Sequence, residues 1–103
     1  MILSIQKADS FFKRFIGLIG RKSLPPYHGL LLSPCHSIHM LFMRFPIDAV
    51  FLDKNFTIKK IVPNLKPWFG FAFSFDSFSV LELNSGEASH LHLYVGLSLK
   101  DYF

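Results

Sequence analysis

The sequence predicts a mostly β chain (all-β or α+β), arranged as a small barrel-like antiparallel sheet with one or two short helices. Three observations carry that prediction. Most of the apolar runs are short and alternate in the manner of strands. Turn-forming residues separate them, at Leu24-Pro25-Pro26, Ser33-Pro34, Asp53-Lys54-Asn55, Pro63-Asn64 and Asn84-Ser85-Gly86. Half of the residues are hydrophobic and 17% are aromatic, enough for a core without disulfides, and the single Cys35 can form none within the chain. A length of 103 residues is expected to make one domain, 1–103.

Residues 2–8 are short and loosely alternating, which predicts an opening strand. Asp9 and Ser10 offer a cap to a helix whose apolar face is Phe11, Phe12, Phe15, Ile16 and Ile19, ended by Gly20. Pro25 and Pro26 make Leu24–Gly29 a loop, and Leu30–Leu32 a brief buried strand after it. A polar turn over 34–39 leads to an extended apolar stretch, Ile38–Met43, interrupted by Pro46. Ile47–Asp53 has apolar residues on both faces and so belongs in the middle of a sheet. Thr57–Val62 returns beside it as the second arm of a hairpin. Phe78–Leu83 is a further strand, Glu87–Leu93 a short helix, and Leu97–Lys100 a closing strand.

The stretch Trp68–Asp76 repeats Phe at alternate positions, 69, 71, 73 and 75. Its first reading is a core-facing strand or a greasy cover over the barrel. The other is an exposed surface for a partner protein.

Polar chemistry gathers between Cys35 and Asp53. Asp48 lies among Ile47, Ala49, Val50 and Phe51, where a carboxylate needs a cation or several hydrogen-bond donors. Arg44 is the nearest cation in sequence and Arg21 a second candidate. The expected site is a polar pocket built from His39, Arg44 and Asp48, with Ser37, Arg21, Glu82 and Trp68 as neighbours. It either holds the sheet together or binds a small polar or anionic ligand. Cys35, His36 and His39 are weak metal-ligand candidates, because C-H-x-x-H lacks the second ligand pair of a zinc site. No metal, cofactor or catalytic residue is expected, and a non-enzymatic module is preferred. The alternative is a small hydrolase-like or metal-dependent enzyme using Cys35, His36 and His39.

Net charge is +4 with pI ≈ 9.4, spread as isolated Lys and Arg pairs instead of a basic groove, so nucleic acid is not an expected partner. Mean hydropathy is high at +0.35. No run reaches the roughly 20 apolar residues that span a bilayer, and no signal peptide is visible, which leads to the expectation of a cytoplasmic protein.

Several segments carry a resemblance. Arg14–Arg21 resembles the R-x-x-G-L-M-G-R segment of the DUF192 family, and Gly29-Leu30-Leu31-Leu32 its following strand. Ser37-Ile38-His39, Met43–Asp48 and Val50–Asp53 are similar to its most specific signature, and Pro67-Trp68 and Val80–Leu83 with Gly86 to its later motifs. The resemblance implies a bacterial or archaeal, single, mostly β domain, barrel-like, with no agreed activity, cofactor or catalytic residue. Phe56, Leu97 and His90 depart from the family pattern at a hairpin glycine, an aspartate and an arginine, and the Phe-rich tract is unusual for it.

Overall fold

Apolar residues at nearly every position of Ile47–Leu52 require a strand covered on both sides, and in the computed structural model this segment is buried along its whole length. Residues 3–8, 23–41 and 43–103 are described. The helix expected over Phe11–Ile19, and Arg21 with it, lies outside the described residues. Among the described residues the strands are β1 (Ser4–Ala8), β2 (His28–Leu32), β3 (Ser37–His39), β4 (Ile47–Leu52), β5 (Ile58–Leu65), β6 (Phe71–Phe73) and β7 (Ser79–Asn84). They are followed by a short helix α1 (Glu87–His90) and a 3-10 turn, Lys100–Tyr102.

The chain is mostly β, but its main sheet is open. The order is β1-β2-β7-β4-β5, and a separate two-stranded sheet pairs β3 with β6. β1 and β5 stand at opposite edges and do not pair, so the barrel-like closure expected from the sequence does not form. The sheet is also mixed. β1 runs parallel to β2, whereas the other neighbours are antiparallel. A parallel pair needs a crossover in place of a hairpin.

The hairpin β4–β5 is the most regular part of the expected pattern, and β5 runs further than expected, through Pro63 to Leu65. Proline is tolerated there because β5 is an edge strand. It is accompanied by a bulge: pairing passes from Ala49–Val62 to Ile47–Leu65, and Asn64 adopts φ 53. The closing segment makes an isolated bridge, Thr57–Ser98, in place of a full strand. Phe56 takes the left-handed conformation that suits a glycine, φ 62, and its ring stacks on Phe103 at 4.2 Å.

Alternation sends apolar side chains to both faces of the main sheet. On one face Leu30, Leu32, Ile47, Ala49, Phe51 and Val80 pack with Ile38, Met40 and Ala72 from the β3–β6 region. On the other, Leu31, Val50, Leu52, Leu81 and Leu83 pack with Ala88, Leu91 and Leu99. The small β3–β6 sheet and helix α1 therefore cover opposite faces.

Candidate functional site

Asp48 pairs in register with Leu83 and so faces the α1 side. It is 1% exposed. Its Oδ1 accepts the Asn64 N–H at 2.9 Å, and its Oδ2 accepts the N–H groups of Gly86 and Ala88, each at 3.0 Å. The bulge in β5 frees the first donor, and the N-terminal end of α1 supplies the other two. Asp48 is therefore a buried buckle joining β4, β5 and α1. Among the described residues its partners are amide donors, not the guanidinium expected from the sequence. Arg44 is exposed, because Met43 and Phe45 on either side of it take the inward positions.

Among the described residues the expected polar pocket is not assembled. His39 and Ser37 lie exposed on β3, on the side of the sheet opposite Asp48. Glu82 is buried but pairs with Leu30 and Ala49, so it faces away from Asp48 as well. Trp68 is half-exposed in the turn before β6, its backbone N–H donating to the Met40 carbonyl at 2.8 Å. The Cys35 thiol donates to the Ser37 carbonyl at 2.9 Å. Among the described residues no group of three or more His, Cys, Asp or Glu side chains comes together as a metal site.

Another constellation is present instead. Ser37 pairs with Phe73 and His39 with Phe71, while Ile38 and Ala72 between them are buried. The outward face of β3–β6 thus carries Ser37, His39, Phe71 and Phe73 together. Phe71, Phe73 and Phe75 form a continuous row of rings, with centroid separations of 6.0 and 5.0 Å. A groove of about 300 Å³ is lined by these three rings with His36 and Ser37. The core-facing reading of the Phe tract is overturned. Phe69 is 92% exposed and Phe75 85%, with Phe71 and Phe73 exposed between them. The alternation was real, but Ala72 and Ser74 make up the buried set.

Two turns fix this geometry. After β6, the Ser77 hydroxyl donates to Ser74 Oγ at 2.7 Å and the Ser74 hydroxyl to Asp76 at 2.9 Å, holding Phe75 at the tip. The hydrogen bond from Ser74, helped by Lys59 at 3.6 Å, holds the Asp76 carboxyl below its usual range. Before β6, the Gly70 N–H donates to the Lys66 carbonyl and the Met40 N–H to the Gly70 carbonyl. A Cβ on Gly70 would lie 2.8 Å from both the Lys66 carbonyl oxygen and Met40 Cγ. Gly70→Ala is therefore expected to cost about 1–3 kcal/mol by overpacking. A urea midpoint equal to that of the unsubstituted protein would contradict this close approach.

Lys60 borders the aromatic face. The Lys60 ammonium sits 5.5 Å from the Phe73 ring centroid and donates to the Phe73 carbonyl at 3.0 Å, and Lys54 lies 5.5 Å from the Phe78 ring.

The DUF192 family model, described as uncharacterized, matches residues 2–100. The chain belongs to the DUF192 family. Among its relatives are UPF0127 proteins of Pyrococcus furiosus, 39% identical over 64% of this chain, and of Pyrococcus horikoshii, 41% identical over 62%. The matches cover 59% and 57% of those relatives' own lengths. Two crystal structures share the DUF192 fold seen here. One is a protein of unknown function from Novosphingobium aromaticivorans, with TM-score 0.81 and 22% identity, covering 91% of this chain and 71% of that one. The other, from Sinorhizobium meliloti, is described only provisionally as a transcription regulator; its TM-score is 0.83 at 28% identity, covering 91% and 78%. Where this DUF192 chain departs from the pattern noted above, Leu97 packs against the apolar core on the α1 side and His90 is exposed at the end of α1. Among the described residues no helix is long and apolar enough to cross a membrane.

Proposed function

We propose that this chain is a binding module that holds an apolar group of a partner against the face formed by Phe71, Phe73 and Phe75. The observation that carries the reading is the run of exposed rings from Phe69 to Phe75. Leaving such rings in water forgoes roughly 1.5–3 kcal/mol for each one that could be buried, and contiguous apolar patches of this kind mark contact sites. The groove beside them is at the small end of ligand clefts, and its lining by the three rings, His36 and Ser37 is almost wholly apolar. The turns on either side of β6 hold the rings ready, so little ordering is required on contact.

An apolar dye tests the face without a known ligand. 1-Anilinonaphthalene-8-sulfonate is expected to bind the folded protein saturably. The double substitution Phe71→Ser/Phe73→Ser should weaken that binding by about tenfold or more, the equivalent of about 1.4 kcal/mol. Both rings are exposed, so Tm should change little. Unchanged dye affinity in a folded variant overturns the reading.

A further inference from the structure

We propose that the aromatic face docks onto an anionic phospholipid surface, which rests on the binding role just given and names its partner. Two features of the face select that partner. The most exposed rings, Phe69 and Phe75, stand at the two ends of β6 with little protein around them. A folded protein partner would need a matching socket for each ring, whereas the boundary between headgroups and acyl chains accepts apolar side chains at any height.

The second feature is charge. Lys60 lies against the Phe73 ring, and Lys66 is exposed at the start of the turn that presents Phe69. Asp76, next to Phe75, is matched by Lys59 at 3.6 Å. The face is thus apolar at its centre, with the cations Lys60 and Lys66 at its border. Anionic headgroups are complementary to it.

Trp68 is the only tryptophan and lies half-exposed within the tract, so its emission reports docking directly. The expected result is co-sedimentation with phosphatidylcholine vesicles containing about one-third phosphatidylglycerol, with a blue shift of Trp68 emission. Partition should be about tenfold weaker for pure phosphatidylcholine and should fall in about 0.5 M sodium chloride. Phe69→Ser/Phe75→Ser should abolish it without lowering Tm, because both rings are already in water. Equal partition into neutral and anionic vesicles, or none into either, overturns the proposal. So does a concentration-dependent dimer that the same two substitutions abolish, which assigns the face to a second copy. The dye titration separates the two levels: dye bound but vesicles refused removes only the lipid, whereas no binding of either removes the face as a site.

Discussion

Replacing Asp48 with alanine should destabilise the fold by about 3–5 kcal/mol. The estimate comes from the N–H groups of Asn64, Gly86 and Ala88, which lose their acceptor, that of Ala88 in a buried position and the other two partly shielded from water. Each unsatisfied donor costs on the order of 1–3 kcal/mol. Against a total stability of roughly 5–10 kcal/mol for a domain of this size, much of the population would be unfolded at modest urea. Asp48→Asn should be nearly as damaging. The amide keeps one carbonyl acceptor but turns an NH2 towards a backbone donor, so one end of the buckle becomes repulsive. Urea denaturation followed by circular dichroism measures both variants. A loss below about 1 kcal/mol for alanine would show that water or relaxation replaces the carboxylate.

Glu82 should make stability depend on pH in the opposite sense to a salt-bridged acid. It is 4% exposed, between Leu30 of β2 and Ala49 of β4. Burial pushes its carboxyl from the ordinary 4.5 up to about 8. Below 4.5 both folded and unfolded chains carry the proton, and the contribution to stability is complete. As pH rises towards 8 the unfolded chain ionises while the folded one stays protonated, so this contribution drains away until the folded group titrates as well. At about 1.4 kcal/mol per pH unit the total loss is roughly 4–5 kcal/mol. Glu82→Gln keeps the shape and stays neutral in both states. The difference in unfolding free energy between the two proteins should be flat below about pH 4.5, change steadily above it in favour of Gln, and level off above about 8. Parallel pH profiles would mean that Glu82 ionises inside the fold.

Sequence and structure agree best where periodicity alone decides. Ile47–Leu52, the hairpin arm returning beside it and the strand Ser79–Asn84 stand where alternation put them, although β5 continues to Leu65 through the Pro63-Asn64 turn signal. That Asp48 needed partners was equally legible, since a carboxylate among apolar neighbours cannot stay unmatched. Who those partners are was not. Backbone N–H groups from a bulge and a helix end carry no residue-type signature, whereas Arg44 was conspicuous by being close in sequence. The Phe tract failed for a different reason. A repeat of two tells which side chains share a face and leaves open which face meets water. Here the choice is made by close packing: β6 lies so near Met40 that Gly70 has no room for a Cβ, and the small Ala72 is what fits inward.

The two-stranded sheet has one more consequence. The bonds from Ser74 N–H to the His36 carbonyl and from Met40 N–H to the Gly70 carbonyl bracket its ladder, so the Ser37–Phe73 and His39–Phe71 pairs aim their main-chain groups outwards. A Phe-rich strand with open rims is the template on which fibrils grow. Here Lys60 occupies the Phe73 carbonyl on one rim and the Cys35 thiol occupies that of Ser37 on the other. The chain can thus keep its greasiest stripe in water while blunting its recruitment of further strands into an amyloid-like stack.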